Sequence, residues 1–266
     1  MTQWKESAKL ILRCDLPYDA AHPQCLVDLG EPAEGKQPPL LIWFHGGGLE
    51  NGDQKLGPEL QDLVAENGIA VASVGYRMYP QARFPEFIED CARAIAWLVQ
   101  EEKICERFEK VFIGGSSAGG YLSMMLYFAQ HFLRDAGVDP AIIDGCIFNA
   151  GQPMSHYRVL TERGIDSRCV RVDDAAPLWY ISESFAGKRT VPLLIVAADH
   201  DMVNRLEQNV VLKTALAHFD YPPEKVEFRV MEGYQHCAYD GARDAQGRYI
   251  FADIMADFIR RWSDKV

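Results

Sequence analysis

Runs in which nearly every position is apolar recur along the chain, and most are followed by a stretch with apolar residues at helical spacing. Leu40–Phe44 and Ile69–Val74 carry at most one small polar residue, the pattern of strands covered on both faces. Lys110–Ile113, Ile142–Asn149 and Val191–Ala198 read in the same way. Ala8–Cys14 and Cys25–Leu29 predict two further strands around a turn that holds Pro17, Asp19, His22 and Pro23. Val226–Met231 alternates apolar and polar positions, which suits a strand near a sheet edge. Helical spacing appears over residues 56–67, ended by Asn67-Gly68, and over Phe84–Val99, where Ile88, Cys91, Ile95 and Leu98 share a face. It recurs over Tyr121–Tyr127, Val203–Phe219 and Tyr249–Trp262. About eight strands alternating with helices predict an α/β fold with a doubly wound, mostly parallel sheet. With no internal repeat or long linker, residues 1–266 read as a single domain. Residues 151–190 follow the sixth predicted strand, lack regular periodicity, and are too long for a simple connection, so they predict a lid or cap insertion.

Charge narrows the partners. Against 27 Lys and Arg stand 38 Asp and Glu, a net charge of −11, which argues against nucleic acid or an anionic membrane surface. No apolar run reaches membrane-spanning length, and Met1–Lys9 contains no apolar segment of leader length. The seven cysteines are odd in number and scattered, with no C-x-x-C pair. Free thiols in a reducing cytoplasm account for them most simply, and no metal site or organic cofactor is expected.

The chemistry concentrates at Gly114-Gly115-Ser116-Ser117-Ala118-Gly119-Gly120, between a predicted strand and a predicted buried helix. Gly115-x-Ser117-x-Gly119 is the G-x-S-x-G pattern in the strand, sharp turn and helix context that a nucleophile elbow requires. Ser116 is out of register, because Gly114 and Ala118 would flank it. A serine hydroxyl needs a base within hydrogen-bond reach and a third group to orient that base. Of the five histidines after Ser117, His131 and His218 fall in helical patterns, His156 in the insertion and His200 between two aspartates. His236 follows the last predicted strand in the loop Glu232-Gly233-Tyr234-Gln235-His236, where a base belongs. Asp199 and Asp201 both follow Val191–Ala198. Asp201 is favoured because it lies further into the loop, and Asp199 stays open. An oxyanion needs converging N–H donors, for which Ala118 and the two glycines Gly46 and Gly47 of His45-Gly46-Gly47-Gly48 are candidates.

These stretches, together with Tyr76-Arg77-Met78-Tyr79-Pro80, Phe84-Pro85, Asp90 and Asp174-Ala175-Ala176-Pro177-Leu178, resemble the α/β-hydrolases of the esterase/lipase group that carry an HGGG motif. Within that group the likeness is to the hormone-sensitive-lipase-like and acetyl-esterase-like set. It runs from about residue 25 to the C-terminus. It implies an α/β-hydrolase fold and makes Tyr76, Arg77 and Asp90 structural supports. Two departures stand out: only about forty residues precede the HGGG strand, so any cap must come from 151–190 and leave an open site, and Ala197-Ala198 replaces a glycine often found before the acid turn. The resemblance implies a serine carboxylesterase acting on small, short-acyl and possibly acetyl esters. An amidase or aryl-formamidase using the same residues is the alternative, and a non-catalytic binding protein on this fold a remote one. Pairing of two chains across the last strand would give a homodimer.

Overall fold

Strand Leu40–Phe44 divides the molecule. Leu40, Ile42 and Phe44 enter one hydrophobic core, while Leu41 and Trp43 enter another on the opposite face, as the two-residue period of a strand dictates. The computed structural model describes residues 3–6 and 9–263. In chain order the elements are β1 Gln3–Glu6, β2 Leu10–Pro17, β3 Leu26–Pro32, β4 Leu40–Phe44, α1 Pro58–Ala65, β5 Ala70–Val74, α2 Glu86–Gln100, α3 Ile104–Arg107, β6 Val111–Ser116, α4 Ala118–Phe128 and α5 His131–Asp135. There follow β7 Gly145–Asn149, α6 Tyr157–Glu162, β8 Leu193–His200, α7 Arg205–His218, β9 Val226–Gln235 and α8 Ile250–Ser263.

The strands form one sheet in the order β1-β2-β3-β5-β4-β6-β7-β8-β9. β1, β2 and β3 run antiparallel, and every pairing from β5 to β9 is parallel. Residues of α2, α4 and α7 fill the core on one face; those of α1 and α8 fill the other. The sheet is therefore doubly wound; β4, β5 and β7 are buried throughout, and β6 in all but its last residue, Ser116.

Several boundaries differ from the sequence expectation. The sheet gains a ninth strand, β1, at its antiparallel edge. The strand expected over 8–14 is Leu10–Pro17, and Ala8 lies outside the described residues. The strand expected from Ile142 begins at Gly145, because Pro140–Ile142 is a 3₁₀ turn capped by Asp139, whose carboxylate accepts the Ala141 N–H at 2.9 Å. The helix expected from Val203 begins at Arg205, and Val203 is 91% exposed. The insertion is not irregular throughout. It holds α6 and a 3₁₀ turn at Pro177–Tyr180, and it is anchored from within: Val159, Leu160, Ala175 and Ala176 are fully buried, and the Tyr121 hydroxyl donates to Ala175 O.

Candidate active site

β6 ends at Ser116 and α4 starts at Ala118, so Ser117 alone makes the turn. It stands at φ 56° and ψ −111°, a conformation an L-residue holds only when its surroundings impose it. The flanking glycines are what permit the turn: a Cβ at Gly119 would lie 1.8 Å from Phe44 O, and one at Gly115 2.4 Å from both Phe44 O and the Gly119 carbonyl carbon. The Ser117 N–H is tied to Asn149 O at 2.7 Å, and the N-terminus of α4 lies directly behind the hydroxyl.

The loop after β9 brings His236 to this turn. Its Nε2 lies 2.8 Å from Ser117 Oγ, and its Nδ1 lies 2.5 Å from Asp201 Oδ1. With Nδ1 protonated and donating to the carboxylate, Nε2 is left to accept the serine proton. Burial would raise the Asp201 carboxyl, but the hydrogen bond and charge of His236, with the N–H groups of Met202 and Ala198, outweigh it and hold the group below the usual aspartate range. Asp199 does not reach His236. Its Oδ1 accepts the Gly233 N–H at 2.8 Å, pinning the end of β8 to β9.

The His45–Gly48 loop lies alongside. A Cβ at Gly46 would stand 3.4 Å from Ser117 Cβ, and Gly47, at φ 101°, has no room for one because Asn51 O would be 1.8 Å away. Among the described residues the N–H groups of Gly46, Gly47 and Ala118 donate to no acceptor, so they are available to a ligand oxygen. His45 braces the loop: its Nδ1 lies 2.7 Å from Gly46 O and its ring stacks on Tyr76 at 4.3 Å. Tyr76 donates in turn to His45 O at 2.8 Å. Arg77 grips the buried Asp90 through Nε and Nη2, each at 2.8 Å, and Arg93 contacts the same carboxylate.

The other histidines after Ser117 stand elsewhere: His156 caps α6, His131 packs tilted against Phe132, His200 ends β8 and His218 ends α7. Cys237, beside His236, is a free thiol that burial pushes well above its ordinary pKa. Cys105 and Cys169 are exposed rather than buried.

Sequence reasoning passed over two groups. Behind the elbow, Ser116 Oγ donates to Asp240 at 2.7 Å, Asn149 Nδ2 donates to Ser116 Oγ and to Asp240 at 2.7 and 2.9 Å, and the Tyr239 hydroxyl donates to Asn149 Oδ1. Burial raises the Asp240 carboxyl to about 6, against the opposing pull of those hydrogen bonds. These residues are scattered in sequence and carry no motif. In front, Arg205, Gln208 and Asn209 are buried on the face of α7 that continues with Leu212 and Leu216. Polar residues at i, i+3 and i+4 on the core face of a helix were a readable signal.

Residues 27–140 match the BD-FAE family. The carboxylic ester hydrolase LipN of Mycobacterium tuberculosis is 35% identical over 193 residues, which are 64% of this chain and 50% of that protein. The chain spans half or less of the length of the curated relatives it matches. Esterase B of Lactobacillus rhamnosis superposes with a TM-score of 0.75 at 18% identity, covering 99% of this chain and 89% of its own. A truncated carbohydrate esterase from gut microbiota gives 0.73 at 19%, covering 98% and 99%. The architecture is the α/β-hydrolase fold.

Proposed function

We propose that this α/β-hydrolase is a serine carboxylesterase of small, short-acyl esters, acetyl esters among them, with Ser117, His236 and Asp201 as its catalytic triad. The unbroken hydrogen-bonded line from Ser117 Oγ through both ring nitrogens of His236 to Asp201 carries this reading. Ser117 Oγ attacks the acyl carbon as its proton passes to His236 Nε2. Asp201 holds the imidazole in the required tautomer and stabilises the imidazolium. The N–H groups of Gly46, Gly47 and Ala118 receive the oxyanion. The intermediate collapses with cleavage of the acyl C–O bond, and His236 returns the proton to the departing alkoxide. Water, deprotonated by His236, then attacks the acyl-enzyme, and release of Ser117 frees the acid. No step draws on a metal or organic cofactor.

Support for a short acyl group comes from the insertion, where Tyr157 closes on the glycine loop: a Cβ at Gly48 would stand 2.0 Å from its hydroxyl. Residues 151–190 act in this reading as a fixed wall of the site within a single domain. The free cysteines are consistent with a cytoplasmic enzyme. No helix among the described residues is long and apolar enough to cross a membrane. β9 ends the sheet, and a homodimer across that edge predicts a doubled mass in light scattering.

Hydrolysis of p-nitrophenyl esters from two to twelve acyl carbons, with Ser117→Ala in parallel, tests the reading. Activity should fall steeply beyond about four carbons and drop by roughly 10³-fold or more in the variant. Retention of most activity by Ser117→Ala would sink the triad assignment. Rates that stay flat or rise with chain length would sink the short-acyl assignment, and a strong preference for matched amides would replace the ester reading.

A further inference from the structure

Arg205 opens α7 with its side chain inside the molecule; it is 4% exposed, and no other lysine or arginine is buried among the described residues. Arg77, Arg13 and Arg107, only partly exposed, each meet carboxylates, respectively Asp90, Glu102, and Glu31 with Glu102. Arg205 meets none among the described residues. Its Nη1 donates to Ala150 O at 2.6 Å and its Nη2 to Gln152 Oε1 at 3.3 Å and, at 4.0 Å, to the weak acceptor Met202 Sδ, three neutral acceptors for a group with five N–H donors. Glu207, two residues on, makes no ion pair with it, and Asp201, whose charge Arg205 feels, spends its hydrogen bonds on His236 and two backbone N–H groups. One turn along α7, the buried Oε1 of Gln208 has no partner.

Both side chains line a cavity of about 450 Å³ between the start of α7 and the insertion. Gln152, Tyr157, Arg168 and Met202 are also in its wall. The wall holds two arginines and no aspartate or glutamate, although Arg168 pairs with Asp166 just outside it, in a chain with 38 acidic residues and 27 basic ones. Two of its wall residues neighbour groups of the candidate site. Tyr157 packs its hydroxyl over Gly48 of the glycine loop, and Met202 follows Asp201 directly. Gln152 lies just beyond Asn149, whose carbonyl holds the Ser117 N–H.

We propose that this cavity is a carboxylate-binding subsite: the ester attacked by Ser117 carries a carboxylate that Arg205 holds, with Arg168 at the rim. The proposal rests on the esterase reading above and narrows its substrate class. A buried guanidinium with no carboxylate hydrogen-bonded to it is costly alone and strong toward an anion that completes its hydrogen bonds.

Two matched pairs locate the carboxylate: phenyl acetate against 4-carboxyphenyl acetate for the alcohol side, and p-nitrophenyl pentanoate against mono-p-nitrophenyl glutarate for the acyl side. Wild type should favour the anionic member of one pair, relative to Arg205→Gln, by about tenfold in the anionic-to-neutral ratio of kcat/KM. The ratio cancels any loss of folded enzyme. Arg205→Lys should recover part of it, and raised salt should weaken it. Calorimetry on Ser117→Ala reads the subsite without turnover. That protein should bind the favoured anionic ester about tenfold more tightly than its neutral partner, and Ser117→Ala/Arg205→Gln should not. If wild type hydrolyses no ester, the esterase reading fails and the binding comparison still decides the subsite. Equal ratios in wild type and Arg205→Gln for both pairs, with equal binding, would overturn the proposal. Should Arg205→Gln fail to fold, the exposed Arg168→Glu must lower the same ratio; an unchanged ratio would overturn it too.

Discussion

Asp201 and Asp240 flank His236 in space, and the fold drives their carboxyls in opposite directions. Asp201 accepts two backbone N–H groups and the N–H of an imidazole that can itself become charged, and it is held below the usual range. Asp240 accepts from a serine hydroxyl and an asparagine amide, neutral groups that cannot offset its burial, and it is raised to about 6. Both carboxyls are well supplied with hydrogen bonds. What separates them is whether the donors can answer a full negative charge. The first is poised to stabilise an imidazolium, while the second locks the base loop to the elbow strand.

The largest effect should separate the two by activity. Asp201→Asn is expected to lower kcat toward p-nitrophenyl acetate by about 10³- to 10⁴-fold through the wrong imidazole tautomer, while Asp240→Asn stays within about tenfold of wild type. A reversed order would exchange their roles.

Stability against pH should separate them next. An unfolded aspartate titrates near 3.9, so between that value and about 6 folded Asp240 keeps a proton that the unfolded chain has lost. Its contribution to stability is therefore greatest below about pH 4 and declines as pH rises through 6, by on the order of 2–3 kcal/mol. Asp240→Asn should remove that decline, so urea unfolding at pH 4.5 and 8 should show the variant gaining on wild type at the higher pH. Asp201 has the opposite sign: its contribution is present above about pH 4 and is lost as pH falls. A wild-type-like pH dependence in Asp240→Asn would remove Asp240 as the source of the decline.

Two smaller effects sharpen the picture. Tyr239→Phe leaves Asn149 Oδ1 without its donor and should cost about 1–2 kcal/mol in unfolding free energy. Asp199→Ala removes the tie to the Gly233 N–H and an exposed contact with His200 and should cost about 1 kcal/mol, with kcat within about threefold of wild type. A loss of activity on the scale of Asp201→Asn would return Asp199 to contention as the acid.

The local chemistry of the sequence carried most of the architecture. Leu40–Phe44 and Ile69–Val74 announced buried strands because almost nothing in them is polar, and Ser117, Asp201 and His236, which the fold brings into one hydrogen-bonded line, were singled out by lying near strand ends in the order serine, acid, histidine. The Asp240 cluster was silent because its members, from Ser116 to Asp240, are joined only by folding. β1 was missed because Gln3–Glu6 is too short and polar to show a period. Arg205 was legible in principle. Its polar stripe on α7, Arg205, Gln208 and Asn209, weakens the apolar period that Leu212 and Leu216 continue.

The backbone at Ser117 bears on the history of such a chain. At φ 56° and ψ −111° the position suits glycine better than serine, so, with Ser117 as the proposed nucleophile, one substitution there would relieve strain and abolish the reaction together. Selection for turnover must hold the serine in place against a downhill step, as when stability and activity trade against each other. A descendant released from that selection need not decay to become a binder: it could lose its nucleophile, keep its cavity, and melt at a higher temperature than its parent.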